Sequence, residues 1–226
     1  MGEIMEPLFG TATNNPCSLS KHWIDACSIW VETIKKICIN FDYSDAPWEY
    51  LERTNSSIFA SALTASGVPS MPEAYIMRDG RKEQKDQRVD VCSVDKGQSI
   101  ELIEFKMAEY DALYPQTEKR IESKIKEATK QVNRITGIHG KEISTYNLKI
   151  TRSVAVLGLP CFEPGTPKLE MENAIQIMIK DIQKSTYDVK AWVFHSEYIV
   201  NPSCRYRGRD GRKKFYVGTF VVAKHA

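Results

Sequence analysis

Two carboxylates and a lysine stand close together in the middle of the chain: Asp90 in RVDVCSV (residues 88–94), then Glu104 and Lys106 in SIELIEFKM (residues 99–107). Glu104 and Lys106 are two residues apart, so on an extended strand both point to one face, beside Ile100 and Leu102. Ile103, Phe105 and Met107 take the other face. Apolar residues on both faces predict a central strand. Burying a carboxylate and an ammonium there is costly unless they pair with each other, with a metal ion or with a substrate.

The spacing between the two runs sets a sharper expectation. A three-residue loop at 96–98 pairs Asp95 with Ser99 and brings Asp90 opposite Glu104, with Cβ atoms about 4.5–5.5 Å apart. Two carboxylates that close repel unless a cation lies between them. A two-residue turn would put them on opposite faces, so a shared ion requires an odd-length loop or a bulge. Hard carboxylate oxygens suit Mg²⁺ or Mn²⁺ better than zinc. Such an ion would lower the pKa of a bound water and neutralise charge on a phosphodiester. A neighbouring lysine would position or help deprotonate that water and stabilise the developing negative charge.

The elements that must carry these residues are legible from periodicity. Residues 19–39 read as a helix with an apolar stripe at Trp23, Ile24, Ala26, Cys27, Trp30, Ile34 and Ile37. A second helix is predicted from a cap at Asp45, with Pro47 in its first turn, to about Ala65, where Gly67 and Pro69 end it. Residues 71–78 read as a strand, followed by a charged loop at 79–87 and the hairpin. A long helix at 117–138 shows Ile121, Ile125, Ala128, Val132 and Ile135 at helical spacing. Residues 153–162 form an unbroken apolar run, as in a strand covered on both faces. An amphipathic helix at 169–184, a strand at 189–195 and a tail with strand character complete the order. The expected architecture is α/β: a mixed central β-sheet flanked by helices, in one domain. Residues 1–45 are a helical segment packed on it, 46–195 the core and 196–226 a C-terminal basic hairpin and strand.

Asp90, then Glu104-Phe105-Lys106 on the adjoining strand, then a helix carrying Gln131, resembles the PD-(D/E)xK nuclease superfamily. The resemblance spans roughly residues 48–195, and Val89 stands where the nominal motif has proline. It implies a restriction endonuclease-like core and Mg²⁺- or Mn²⁺-dependent hydrolysis of DNA, in restriction, defence or recombination. It also implies that Asp90 and Glu104 are metal ligands and Lys106 the catalytic lysine. Glu52, on the preceding helix, is an additional acidic candidate, and Gln131 a helix-borne polar group able to reach the site. The ordinary alternatives are a solvated helix residue for Glu52, a helix-surface residue for Gln131 and an exposed ion pair for the motif itself. Glu73 is left out: with Asp90 pairing near Ile76, it falls about 10 Å up the strand.

The tail CRYRGRDGRKK (residues 204–214) holds Arg205, Arg207, Arg209, Arg212, Lys213 and Lys214 against one acid, Asp210. Asp210-Gly211 is a turn signal, which predicts a hairpin with basic residues on both arms. The alternatives are a solvated tip and an arm that grips nucleic-acid phosphates. With a net charge of +2, attraction for nucleic acid has to come from such a local patch. DNA is the expected partner, with homodimer formation left open. The rivals are a non-cleaving nucleic-acid-binding or assembly protein of the same fold, and an RNA-directed nuclease. His22, His139, His195 and His225 are scattered and suggest no histidine site. The six cysteines show no CxxC spacing, which argues against zinc and for reduced thiols. No run of about 18 apolar residues spans a bilayer, and Glu3 and Glu6 do not fit a signal peptide; an intracellular protein is expected.

Overall fold

Asp95 does pair with Ser99, and the register continues through Val94–Ile100, Ser93–Glu101, Cys92–Leu102 and Val91–Ile103. The computed structural model describes residues 8–14, 19, 21–42, 46–47, 52–76, 87–95, 99–113, 117–135, 149–195, 205–207 and 213–226. Along them run β1 (Phe9–Thr13), α1 (Lys21–Asn40), α2 (Glu52–Ala65), β2 (Ser70–Ile76), β3 (Gln87–Asp95) and β4 (Ser99–Asp111). There follow α3 (Thr117–Arg134), β5 (Lys149–Phe162), α4 (Lys168–Lys184), β6 (Val189–Phe194), β7 (Arg205–Arg207), β8 (Lys213–Tyr216) and β9 (Gly218–His225). The expected cap Asp45 and the turn at 208–212 lie outside the described residues.

The α/β expectation holds: a mixed sheet of nine strands is flanked by helices, with the order β1-β6-β9-β5-β4-β3-β2 and β8 beside the far end of β5. The β4–β5 pair is parallel, joined through α3; the other pairs are antiparallel. The short strand β1 is absent from the order read in the sequence. The C-terminal strand β9 is inserted between β5 and β6, pairing Ala223 with both Ala155 and Val189. Gly158 marks where this register is pinned, because a Cβ there would run into the ring of Phe220. Past Gly158 the β9 ladder ends, and β8 takes over at Cys161. Pro160 falls in that gap, where a residue without an N–H costs no rung.

Helices α1 and α2 cover one face. Phe59 of α2 packs on Phe105 of β4 and on Trp23 of α1, with ring centroids 5.2 and 5.1 Å apart. The Trp23 indole donates to Glu101 at 2.9 Å. Helices α3 and α4 cover the other face, where Tyr110 reaches Met178 of α4. The α3 stripe of Ile121, Ile125, Ala128 and Val132 is buried as expected. Helix α2 ends where Gly67 adopts φ +96°, a left-handed conformation that glycine takes without a Cβ penalty. One hydrophobic cluster runs from Trp23 and Trp30 of α1 to Val221 of β9, so the N-terminal helix shares the core of the sheet. No helix among the described residues is long and apolar enough to cross a membrane.

Candidate active site

The ladder between β3 and β4 stops at Val91–Ile103, one residue short of the carboxylates, and the strands part there. In an antiparallel ladder alternate N–H groups face the partner strand, so after Ile103 the next two aimed at β3 belong to Phe105 and Met107. Both are captured by carboxylates instead. The Phe105 N–H donates to Asp90 Oδ2 at 2.8 Å, and the Met107 N–H donates to Glu52 Oε2 at 2.9 Å. Two acids from different elements thereby seal an opened sheet edge, and each is fixed through one oxygen.

Glu104 and Lys106 share the face next to this fork and are 7% and 8% exposed. Lys106 Nζ donates to Glu104 Oε1 at 2.9 Å, to the Phe105 carbonyl at 2.8 Å and to Glu52 Oε1 at 3.4 Å. The structure thus brings together Glu52, Asp90, Glu104 and Lys106. Burial, and then the charge of Asp90, push the Glu104 carboxyl up from 4.5 to about 7, against the pull of Lys106. Asp90 is also raised, chiefly by burial, with the Phe105 N–H and Lys106 opposing. Burial alone would lower the Lys106 ammonium, but Glu104, Glu52 and Asp90 together raise it. Lys106 is therefore a cation in this arrangement, fitted to stabilise negative charge and not to take a proton from water.

Among the described residues no three His, Cys, Asp or Glu side chains already converge as a finished ligand set. The donor chemistry nevertheless fits a hard divalent cation. Asp90 and Glu104 are carboxylates both raised chiefly by burial, with the charge of Asp90 adding to the rise of Glu104, and a cation beside them would offset that cost.

Gln131 lies on α3, which packs along β4. One turn earlier, Glu127 is held below the usual carboxylate range first by its hydrogen bond with Lys124 and more weakly by Lys106. That places this helix face within electrostatic reach of the site. The Gln131 Oε1 is buried with no hydrogen-bond partner among the described residues.

The exclusion of Glu73 needs correction. Pro72 pairs with Val91 and Ala74 with Val89, so Glu73 occupies the position facing Asp90, and its charge contributes to raising the Asp90 carboxyl. The connection between β2 and β3 starts after Ile76 and ends at Gln87, which shifts the register by three residues from the expected one. Glu73 has φ +52°, a local kink in β2 that no periodicity discloses. Its carboxylate accepts from Arg53 Nε at 2.7 Å and from Arg88 Nη1 at 3.4 Å.

The basic tail forms the expected hairpin, with Arg205–Phe215, Tyr206–Lys214 and Arg207–Lys213 as partners. The side chains of Arg205, Arg207, Arg209, Arg212 and Lys213 lie outside the described residues. Lys214 pairs with Glu109 at 3.2 Å. The hairpin joins β5 at Cys161, five residues beyond Val156, the partner of Lys106. That is about 16 Å along the sheet from the site. Of the thiols, Cys161 is free and its pKa is pushed up to about 12 by burial, which leaves it unreactive. Cys92 is also free and raised by burial. No protein-family model, curated protein or solved structure matches this chain.

Proposed function

We propose that this protein is a nuclease that hydrolyses phosphodiester bonds in DNA with Mg²⁺ or Mn²⁺. The observation that carries the reading is the fork: Asp90 and Glu104 follow the last rung between β3 and β4, close enough for the charge of Asp90 to act on Glu104, with Lys106 between Glu104 and Glu52. Asp90 and Glu104 would hold the cation, each by an oxygen not committed to Phe105 or Lys106. Bound there, the ion supplies Lewis-acid polarisation of a phosphoryl oxygen and an acidified water. The chain's own groups do the rest. Lys106, kept protonated by three carboxylates, stabilises the negative charge that builds on the phosphoryl oxygens as water attacks and the bridging P–O bond breaks. Glu52 fixes Lys106 and the backbone of Met107, so the lysine keeps its place as the substrate enters. Gln131 offers a carbonyl acceptor from α3.

The test is a cleavage assay on linear, circular and single-stranded DNA and on RNA, with Mg²⁺, with Mn²⁺ and with chelator. Cleavage of DNA that needs the cation and is lost in Asp90→Ala and Glu104→Ala supports the reading. Absence of cation-dependent cleavage of every substrate overturns it, and cleavage of RNA alone reassigns the substrate.

A further inference from the structure

Arg53 and Arg88 stand close in sequence to site acids, and both pair with Glu73. Arg53 follows Glu52 and lies in the first turn of α2, where the helix dipole disfavours a positive charge. Its side chain is 67% exposed. Arg88 precedes Asp90 by two residues, on the same face of β3, and its side chain is 44% exposed. Between them Glu73 holds both guanidinium groups, one on each carboxylate oxygen, from the left-handed kink opposite Asp90. A charge of the wrong sign at a helix start and a non-glycine residue at positive φ are two local misfits at one place. Such misfits gather where function holds them.

We propose that Arg53 and Arg88, spaced by Glu73, form a phosphate clamp on the rim of the site that takes a backbone phosphate adjacent to the reacting one. The proposal rests on the nuclease reading and names the residues that grip its substrate near the chemistry. A guanidinium carries five donors, more than one carboxylate oxygen can engage. Each arginine can therefore stay oriented by Glu73 while presenting further N–H groups outward, and planar forks match phosphate oxygens. The rim position follows from the chain itself. Each arginine is anchored within two residues of a site acid, Arg53 to Glu52 and Arg88 to Asp90. A strand that places one phosphate against Asp90 and Glu104 therefore passes the next across this pair. Glu73 has the second role of keeping the two cations from folding back onto the carboxylates of Glu52 and Asp90.

The test measures binding of a short DNA duplex in Ca²⁺ at several salt concentrations. It compares the wild-type chain with Arg53→Ala/Arg88→Ala and Arg53→Lys/Arg88→Lys, with the melting temperature recorded for each. The double alanine variant is expected to bind at least tenfold more weakly, with a salt slope shallower by up to about 0.9 per lost contact. The lysine variant is expected to recover most of the slope and part of the affinity. The rise in melting temperature on adding Mn²⁺ alone should be the same in all three, since neither arginine holds the cation. Unchanged affinity and slope in the alanine variant, whether or not its melting temperature falls, would overturn the clamp and leave the nuclease reading intact. Failure of the wild-type chain to bind any DNA would overturn both.

Discussion

Among the described residues the sheet buries two lysines, Lys190 and Lys106, and their surroundings differ. Lys190 of β6 is fully buried, and its ammonium donates to Asn14 Oδ1 at 2.6 Å and to the Gln183 carbonyl at 3.3 Å. Those acceptors are uncharged oxygens from the segment after β1 and the end of α4, so this lysine ties an edge strand and a helix end to the sheet. Lys106 of β4 is also buried but stands among carboxylates. Neutral oxygens satisfy the N–H donors of an ammonium without adding negative charge of their own. Carboxylates that outnumber the ammonium leave net negative charge on a desolvated face, which only a further cation or a protonation can settle. Burial of a lysine is thus no sign of function; the charge balance around it is.

Exchanging the two lysines for apolar or truncated side chains should split their roles most widely. Lys106→Ala is expected to lower the cleavage rate by about a thousandfold, the scale of losing one charge-stabilising group, with the protein still folded by circular dichroism. Lys190→Met is expected to leave cleavage within a few-fold of wild type. It should cost about 1–3 kcal/mol by stranding its buried acceptors, read as a melting temperature several degrees lower. Loss of cleavage in folded Lys190→Met would break the comparison.

The next effect is on stability against pH. The Glu104 carboxyl is raised in the fold from 4.5 to about 7, so the native state holds a proton that the unfolded chain releases. Stability then falls as pH rises through that window and stays low above it. The full shift corresponds to something of the order of 3 kcal/mol. Glu104→Gln should therefore melt several degrees above wild type at pH 8 without metal, and the difference should close near pH 4.5. Because Lys106 is raised from a value already near 10.5, its contribution is constant across this range. Mn²⁺ should stabilise the wild type at pH 8, more than at pH 5, and should do less for the variant. Equal melting temperatures of the two proteins at pH 8 would show that Glu104 is not under the strain described.

The smallest effect concerns the basic hairpin about 16 Å along the sheet. Replacing Arg207, Arg209 and Arg212 with alanine is expected to weaken duplex binding similarly on two unrelated sequences. It should also reduce the salt slope by up to about 0.9 per contact. Lys214 is left out because Glu109 already engages it. An unaltered slope would assign the phosphate grip to the rim of the site alone.

What the sequence disclosed, and what it hid, follows from the range of the interactions. The β3–β4 register was legible because a three-residue loop fixes it locally, and alternation then put Glu104 and Lys106 on one face. Helices α3 and α4 and strand β5 carry long apolar patterns that depend on nothing distant. Glu73 was hidden for the converse reason. Its place opposite Asp90 depends on where β2 stops across a long connection, and its left-handed backbone follows no periodicity. The Arg53–Glu73–Arg88 contact joins α2, β2 and β3, elements whose neighbourhood appears only once they pack. The position of β9 was hidden too, since its pairing with β5 is a choice made across more than sixty residues.

That insertion has a consequence for how the protein is made. Strand β9 is the seam between two ribbons, β1-β6 on one side and β5-β4-β3-β2 on the other. Until residues 218–225 are made, the edges of β5 and β6 that will flank β9 have no partner, and both strands are rich in apolar residues. Unpaired apolar edges of this kind recruit other strands. The nascent chain would carry the β3–β4 hairpin in place before the sheet that buries it can close. Its most aggregation-prone moment should therefore come before β9 docks, when Phe220 has yet to settle over Gly158 and lock the two halves in register.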